Sequence, residues 1–570
     1  LKRRQFYTIL FILLMITTVL HQKRIFENDT VKSVDLGVVD VSYWTPLIAK
    51  AVNLSDVKIN IDGKEFSVEN DDIYISDSLV IMLPINVFKD VFICRVNTYE
   101  DGVISIEKGN IRVDVALNNN KMIVAGNTFN MGETVIKKND VIYLPFDIAE
   151  NAMGYSIEWL KAQNRILING GEESKNFLPV RYDYREKGRA PIVKDQGSFG
   201  TCWAFASISA IESTLLPKQR YELSPDHMSI NNSFGLSQND GGEYTMSMAY
   251  LTAWQGPVLE EQDTYGDGYS PDNLTAVKHI QEVQIIASKD YEKIKEAVYF
   301  TGGVQSSFYN ALNNAQSSSK YYNNENSSYC YIGSEKPNHD VVIIGWDDNY
   351  PKENFSIEPA ENGAFICTNS WGEEFGESGF FYISYYDTNI GINNILYSGI
   401  EENTNYDNIY QADLSGWIGC MGYGEETAYF ANVYKAEGDE ILEAVGFYAT
   451  GINTEYEVRV VSNYFKPEDL TNAKVFASGK VKNAGFYTIK LDEIVNLNAR
   501  EKYAVIIKIR TPEAIHPIAI EYHVEGSNKM VDISDGEGYI SFKGNVWESA
   551  ESEHMSNICL KAYTKNKNKD

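Results

Sequence analysis

Cys202 closes the run Gln196-Gly-Ser-Phe-Gly-Thr, and the residues beyond it, Trp203, Ala206, Ile208 and Ile211, recur at helical spacing. Glycines and small residues predict a loop, and the apolar period predicts a helix that Cys202 opens. A thiol in that place meets the positive end of the helix dipole, which favours thiolate over thiol. A sulfur nucleophile further needs a base within hydrogen-bond reach and a third group that orients the base. Two downstream segments hold those residue types. Asn338-His339-Asp340 leads into the apolar run Val341–Trp346, and Phe365–Gly372 ends a strand with the amide of Asn369 and the indole of Trp371. Such a set performs acyl transfer through sulfur. Taken alone, a cysteine before a tryptophan is more often a buried core thiol.

These residues lie far apart in a chain of 570, long enough for two to four domains at about 100–200 residues each. Asp and Glu number 79 against 50 Lys and Arg, a formal charge of −29. That balance argues against a nucleic-acid partner, which requires a basic surface. Hydrophobic residues at 44 % and aromatics at 12 % suffice for real cores and exclude long disorder. Six cysteines (94, 202, 330, 367, 420 and 559), with no CxxC or Cys/His cluster, exclude a disulfide scaffold and predict no metal site. No cofactor is expected. A structural calcium stays open, without an EF-hand motif to place it.

Lys2, Arg3 and Arg4 precede the apolar stretch Phe6–Leu20, and Lys23 and Arg24 follow it. Residues 1–30 therefore read as a signal peptide or as an uncleaved anchor in contact with the membrane, and the protein as secreted or held at the cell surface. Three regions follow. Residues 36–172 alternate apolar and polar positions and repeat themselves, Val80-Ile-Met-Leu-Pro84 returning as Val141-Ile-Tyr-Leu-Pro145, each before a short helical stretch. A duplicated β-rich module is expected. Residues 176–402 mix helical and strand periods around the chemistry. Residues 405–565 contain strand runs such as Ala428–Tyr434, Ala444–Ala449, Tyr456–Val461, Phe486–Leu491 and Tyr503–Ile509, which predict a β-sandwich or jelly roll. Cys94, Cys367 and Cys420 are expected to be inert core thiols; Cys330 is expected in a loop, and Cys420 with Cys559 is a candidate pair.

From about Leu178 to Tyr385 the sequence resembles the papain-like cysteine peptidases. The likeness rests on Asp183-Tyr-Arg185, Gln196–Phe205, Asp240-Gly241-Gly242, His339, Asn369-Ser-Trp371-Gly and Gly379-Phe-Phe-Tyr-Ile-Ser384. It implies Cys202 as nucleophile, His339 as its acid–base partner and Asn369 as the group that holds the imidazole. Gln196 and the Cys202 N–H would stabilise the oxyanion, and Trp371 would shield the Asn369–His339 bond. Gly241 and Gly242 would pair with the substrate backbone. Asp340 replaces the family's usual alanine on the wall of the pocket for P2, the second residue on the acyl side of the cut, and would favour Lys or Arg there unless a neighbour such as Lys336 takes it. Phe199 stands where the family has a cysteine, so the disulfide from that position is missing. An insertion at 348–363 lengthens the step to Asn369.

Asp140–Ile168 resembles the module named after the N-terminal domain of copper amine oxidase, expected here as a spacer or attachment module or as an inhibitory pro-region, with no copper chemistry. Residues 410–563 are similar to the lectin-like domain of surface-layer-processing cysteine proteases. The expected fold class is α+β multidomain: a two-lobed papain-like peptidase between a duplicated β module and a β-sandwich. The expected function is an exported cysteine endopeptidase acting on proteins or peptides, with cell-wall or glycan contact through the C-terminal domain. The alternative is an inactive adhesin on the same fold; acyl transfer to an amine is a third reading.

Overall fold

The computed structural model describes residues 58–567, with interruptions at 62–63, 68–72, 161–164, 170–177 and 525–530 and a few single or paired positions. The signal peptide or anchor expected at 1–30 lies outside the described residues. Among the described residues no helix is long and apolar enough to cross a membrane.

The internal repeat becomes a structural pairing. The two copies of the Pro-terminated strand, Ile81–Pro84 and Val141–Pro145, run antiparallel with Leu144 opposite Leu83. A short helix follows each, Ile85–Asp90 after the first and a π-helical turn, Ile148–Ala152, after the second. Arg165–Asn169, late in the second copy, lies parallel to Lys58–Ile61 in the first. Each copy thus completes a sheet begun by the other, around one core that holds Leu83, Phe88, Leu144 and Ile148.

The middle region is built on the helix Cys202–Leu215. Its residues from Trp203 to Ser213 are all buried, as expected of a helix with no polar face that is surrounded by other elements. Beside it, antiparallel strands run in the order Phe380–Ser384, Ala364–Thr368, His339–Asp347, Val304–Phe308, Asn394–Glu402 and Lys278–Ile286. The 348–363 insertion makes one 3₁₀ turn, Lys352–Asn354, and buries Phe355. The Asn354 carbonyl accepts from Asn323 Nδ2 at 2.8 Å and Ser328 Oγ at 2.6 Å, which secures the hairpin Tyr322-Asn323/Ser328-Tyr329 inside the stretch expected as a loop.

The C-terminal region is a sandwich. One sheet centres on Thr427–Lys435 and Lys502–Arg510, the other on Glu440–Ala449 and Leu560–Asn566, and Phe430, Val505 and Ile507 meet Val445, Phe447 and Leu560 between them. The second sheet does not stop at the boundary. Its strand Ala484–Leu497 pairs with Lys278–Ile286, Phe486 opposite Val283, so one sheet runs through both regions.

Candidate active site

Two antiparallel neighbours bring the ring and the amide together. His339 begins its strand and Asn369 follows the end of the adjacent one, in a register that sets Val342 opposite Thr368. The start of one strand lies beside the end of its neighbour, so thirty residues of chain return to one sheet end. His339 Nε2 is 2.8 Å from Asn369 Oδ1, which also accepts from the Ser370 N–H at 2.9 Å. Since Oδ1 only accepts, Nε2 carries the hydrogen and the neutral ring keeps its lone pair on Nδ1. The Trp371 ring, half-buried, lies 5.3 Å from the imidazole at 44° and covers this pair.

Cys202 sits at the first position of its helix, and its sulfur accepts from the N–H of Asp340, the residue after His339. Burial, then the Asp340 charge, push its thiol up to about 12, against the backbone N–H donors of Asp340, Trp203 and Cys202 itself. Burial likewise holds the His339 imidazole down to about 4, the bond to Asn369 opposing it. Desolvation at the sulfur thus works against the thiolate that the helix terminus favours.

Gln196 is fixed on both sides: Ser370 Oγ donates to its Oε1 at 2.6 Å and its Nε2 donates to the Phe199 carbonyl at 2.7 Å. One amide hydrogen is left for a second acceptor. The backbone joins the same two segments, since Gln196 N–H donates to Ser370 O at 2.9 Å and Gly372 N–H to Lys194 O at 3.0 Å. Lys194 in turn forms a buried 2.6 Å ion pair with Glu212 on the Cys202 helix.

Gly241 and Gly242 lie against the opening of that helix. Gly242 admits no side chain, because a Cβ there would come within 2.5 Å of Trp203 Nε1, and Gly241 takes φ +80°, a conformation suited to glycine. Asp340 is buried with Gln305 Nε2 2.8 Å from its Oδ2 and Ser307 as a second partner; these neutral groups, not Lys336, satisfy it.

Two features escaped the sequence reading. Where the absent cysteine would have cross-linked the loop, Tyr265 clamps it. Its hydroxyl donates to the Gln196 carbonyl at 2.9 Å and lies 2.6 Å from Thr201 Oγ1, and its ring meets Phe205 and Phe199 edge-on. Nothing in the local pattern marks Tyr265 for this contact. Below Asp340, Ser207 Oγ, Ser247 Oγ, Gln305 and Tyr397 OH form a fully buried network across four elements.

The remaining cysteines are free. Cys330 is buried within the hairpin region, and Cys420 is exposed on an edge strand, not in a core. Cys420 and Cys559 do not pair. Cys420 faces Ala519 from one side, and Cys559 bonds to Ala519 from the other, so a whole strand separates them.

Comparisons with known proteins agree with this architecture. Family models match residues 178–400 (Papain family cysteine protease), 409–564 (Lectin like domain) and 60–168 (Copper amine oxidase N-terminal domain). A solved structure of the clostridial cysteine protease Cwp84 after propeptide cleavage is 27 % identical with TM-score 0.61, covering 68 % of this chain and 99 % of that one. The cysteine protease and lectin-like domains of Cwp84, described as a surface layer associated protein of Clostridium difficile, give 26 % and 0.60 over 68 % and 89 %. A viral cathepsin of Heliothis zea nuclear polyhedrosis virus is 28 % identical over 238 residues, 40 % of this chain and 58 % of that protein. Cathepsin K of Mus musculus is 28 % identical over 234 residues, 39 % and 65 %. The chain thus spans less than two thirds of the length of these curated relatives. The segment 178–400 accordingly belongs to the papain family of cysteine proteases, with a copper-amine-oxidase-N-like domain before it and a lectin-like domain after it.

Proposed function

We propose that this protein is an exported or surface-held cysteine endopeptidase that cuts peptide bonds in surface or extracellular proteins through a thiol acyl-enzyme. The observation that carries the reading is Cys202 at a helix start, its sulfur accepting from the N–H of the residue after His339, whose ring Asn369 holds at 2.8 Å. Nδ1 of His339 takes the thiol proton as the Cys202 sulfur attacks the carbonyl carbon. The negative oxygen that forms is met by the Cys202 N–H and the remaining amide hydrogen of Gln196. Collapse breaks the C–N bond, and the imidazolium gives its proton to the departing amine. Water, deprotonated by the same ring, then attacks the thioester and frees the acid and the thiol. Trp371 keeps water from the Asn369–His339 bond, and Gly241 and Gly242 offer a backbone edge to an extended substrate.

Every group in these steps comes from the chain, so the reading assigns no cofactor. The surface location and a cell-wall or glycan contact by residues 409–564 are part of the same proposal, supported by the likeness to Cwp84 across both domains. Labelling with a thiol-directed epoxide, followed by peptide mapping and by hydrolysis assays on a denatured protein, tests it. Modification at Cys202 together with cleavage lost in Cys202→Ala is expected; an unlabelled, inactive protein would favour the adhesin reading.

A further inference from the structure

The outer face of the C-terminal sandwich carries an open pocket of about 520 Å³ lined by Glu425, Glu426, Thr427, Tyr429, Phe542 and Lys543. Its place follows from strand alternation. Phe430 enters the core between the sheets, so Tyr429, its neighbour on Thr427–Lys435, stands on the opposite face, away from the sheet that continues into the peptidase region. The rings are held in advance. Gly544, at φ +73°, brings its backbone so close that a Cβ would come within 2.9 Å of the Tyr429 ring, and its N–H donates to Ser541 Oγ at 2.9 Å. The Phe542 ring packs 5.6 Å from that of Tyr423 yet stays 43 % exposed.

The polar lining divides in two. Glu426 is occupied, with Arg510 at 3.1 Å on one oxygen and the Glu513 N–H at 2.9 Å on the other. The side chains of Glu425, Thr427 and Lys543 have no hydrogen-bond or ion-pair partner among the described residues, and the Lys543 ammonium stands 5.3 Å over the Phe542 ring. Exposed aromatic faces beside unspent polar groups fit one ligand chemistry. The C–H bonds on one face of a pyranose ring carry partial positive charge and pack on the negative face of an aromatic ring, while its hydroxyls require acceptors and donors at the rim. A purely apolar partner would strip water from Glu425 and Lys543 and return no hydrogen bond. An acidic polymer would meet Glu425 and Glu426 on a chain of formal charge −29.

Resting on the glycan contact proposed above for residues 409–564, we propose that this pocket binds an uncharged pyranose unit of a polysaccharide. The sugar ring stacks on Phe542 and Tyr429, Glu425 accepts from its hydroxyls, and Thr427 and Lys543 donate to its oxygens. The occupied face is the one turned away from the shared sheet, so anchoring to a glycan leaves the union of the two regions undisturbed.

Saturation-transfer NMR on the whole protein tests this, with maltotetraose and tetra-N-acetylchitotetraose as uncharged probes and tetragalacturonate as the charged one. An uncharged probe should bind, with the strongest transfer at the C–H protons of one ring face, and tetragalacturonate should bind about tenfold more weakly. Phe542→Ala should weaken the uncharged probe by about tenfold, Glu425→Gln by about fivefold, and Phe542→Tyr should retain binding. An unchanged melting transition checks that each variant keeps its fold. Binding that survives Phe542→Ala would place the glycan contact elsewhere on the domain and overturn this site alone. No transfer to either uncharged probe would overturn the site and the glycan contact together, and a preference for tetragalacturonate would overturn the assignment of an uncharged sugar.

Discussion

At the scale of single residues, the site is governed by desolvation. Burial holds the His339 imidazole down to about 4, below the ordinary 6.5, while its bond to Asn369 works the other way. The sign follows: lowering the pH disables the base only on passing its folded pKa of about 4. For a peptide with leucine at P2, the acid limb of kcat/KM should therefore fall near pH 4; a limb centred near 6.5 would contradict this burial argument. Gln196→Ala removes a donor that Ser370 and Phe199 hold in place. Turnover should drop by about 10²–10³ with KM little changed, as for loss of one oxyanion donor. A parallel rise in KM would instead mark Gln196 as a ground-state binding group.

At the scale of elements, two devices hold the loop between Gln196 and Cys202. Tyr265 is one, and Tyr265→Phe deletes both hydroxyl contacts while keeping the ring against Phe205. A loss of about 1 kcal/mol in stability is expected, with a larger proportional fall in kcat than in affinity. The Lys194–Glu212 pair is the other, almost wholly excluded from solvent. Burial raises the Glu212 carboxyl pKa, while Lys194 and the Leu223 N–H pull it back down. Glu212→Ala strands the lysine and should cost about 3–5 kcal/mol in urea denaturation. A cost below about 1 kcal/mol would show that Lys194 finds water instead. The strand runs of the C-terminal region were legible because each is rich in β-branched and aromatic residues; the observed Glu440–Ala449 and Ala484–Leu497 extend the expected runs outward into polar residues that only sheet pairing orders.

At the scale of the whole molecule, the papain-family and lectin-like regions are not beads on a string. One sheet passes through both, and one core cluster joins Tyr250 and Ile280 to Tyr448, Phe486 and Tyr563. Trp254 stacks between His279 at 3.6 Å and Tyr563 at 5.4 Å, and Gln411 donates to the Ala253 carbonyl at 3.1 Å where the Tyr244–Thr252 helix ends. Behind that contact lies the fully buried pair Lys561–Asp413 at 2.9 Å. Calorimetry should therefore find a single cooperative transition for the two regions; two separate transitions would show that the shared sheet does not couple them. Lys561→Met leaves Asp413 without its counter-charge and should lower the common transition at a cost of about 3–5 kcal/mol.

The features legible along the chain are local in origin: the helix opened by Cys202, the strand started by His339, the repeat around Leu83 and Leu144, and the residue types able to transfer an acyl group. Periodicity and motif spacing are properties of neighbours along the chain, so they survive without coordinates. The tertiary structure decided what depends on surroundings. It set the burial of Cys202 and His339, because desolvation is imposed by distant elements. It chose Tyr265 as the clamp, gave Asp340 neutral partners in place of Lys336, and kept Cys420 and Cys559 on opposite sides of a strand. It also merged two regions that composition separates, because strand pairing satisfies backbone groups whose partners no local pattern names.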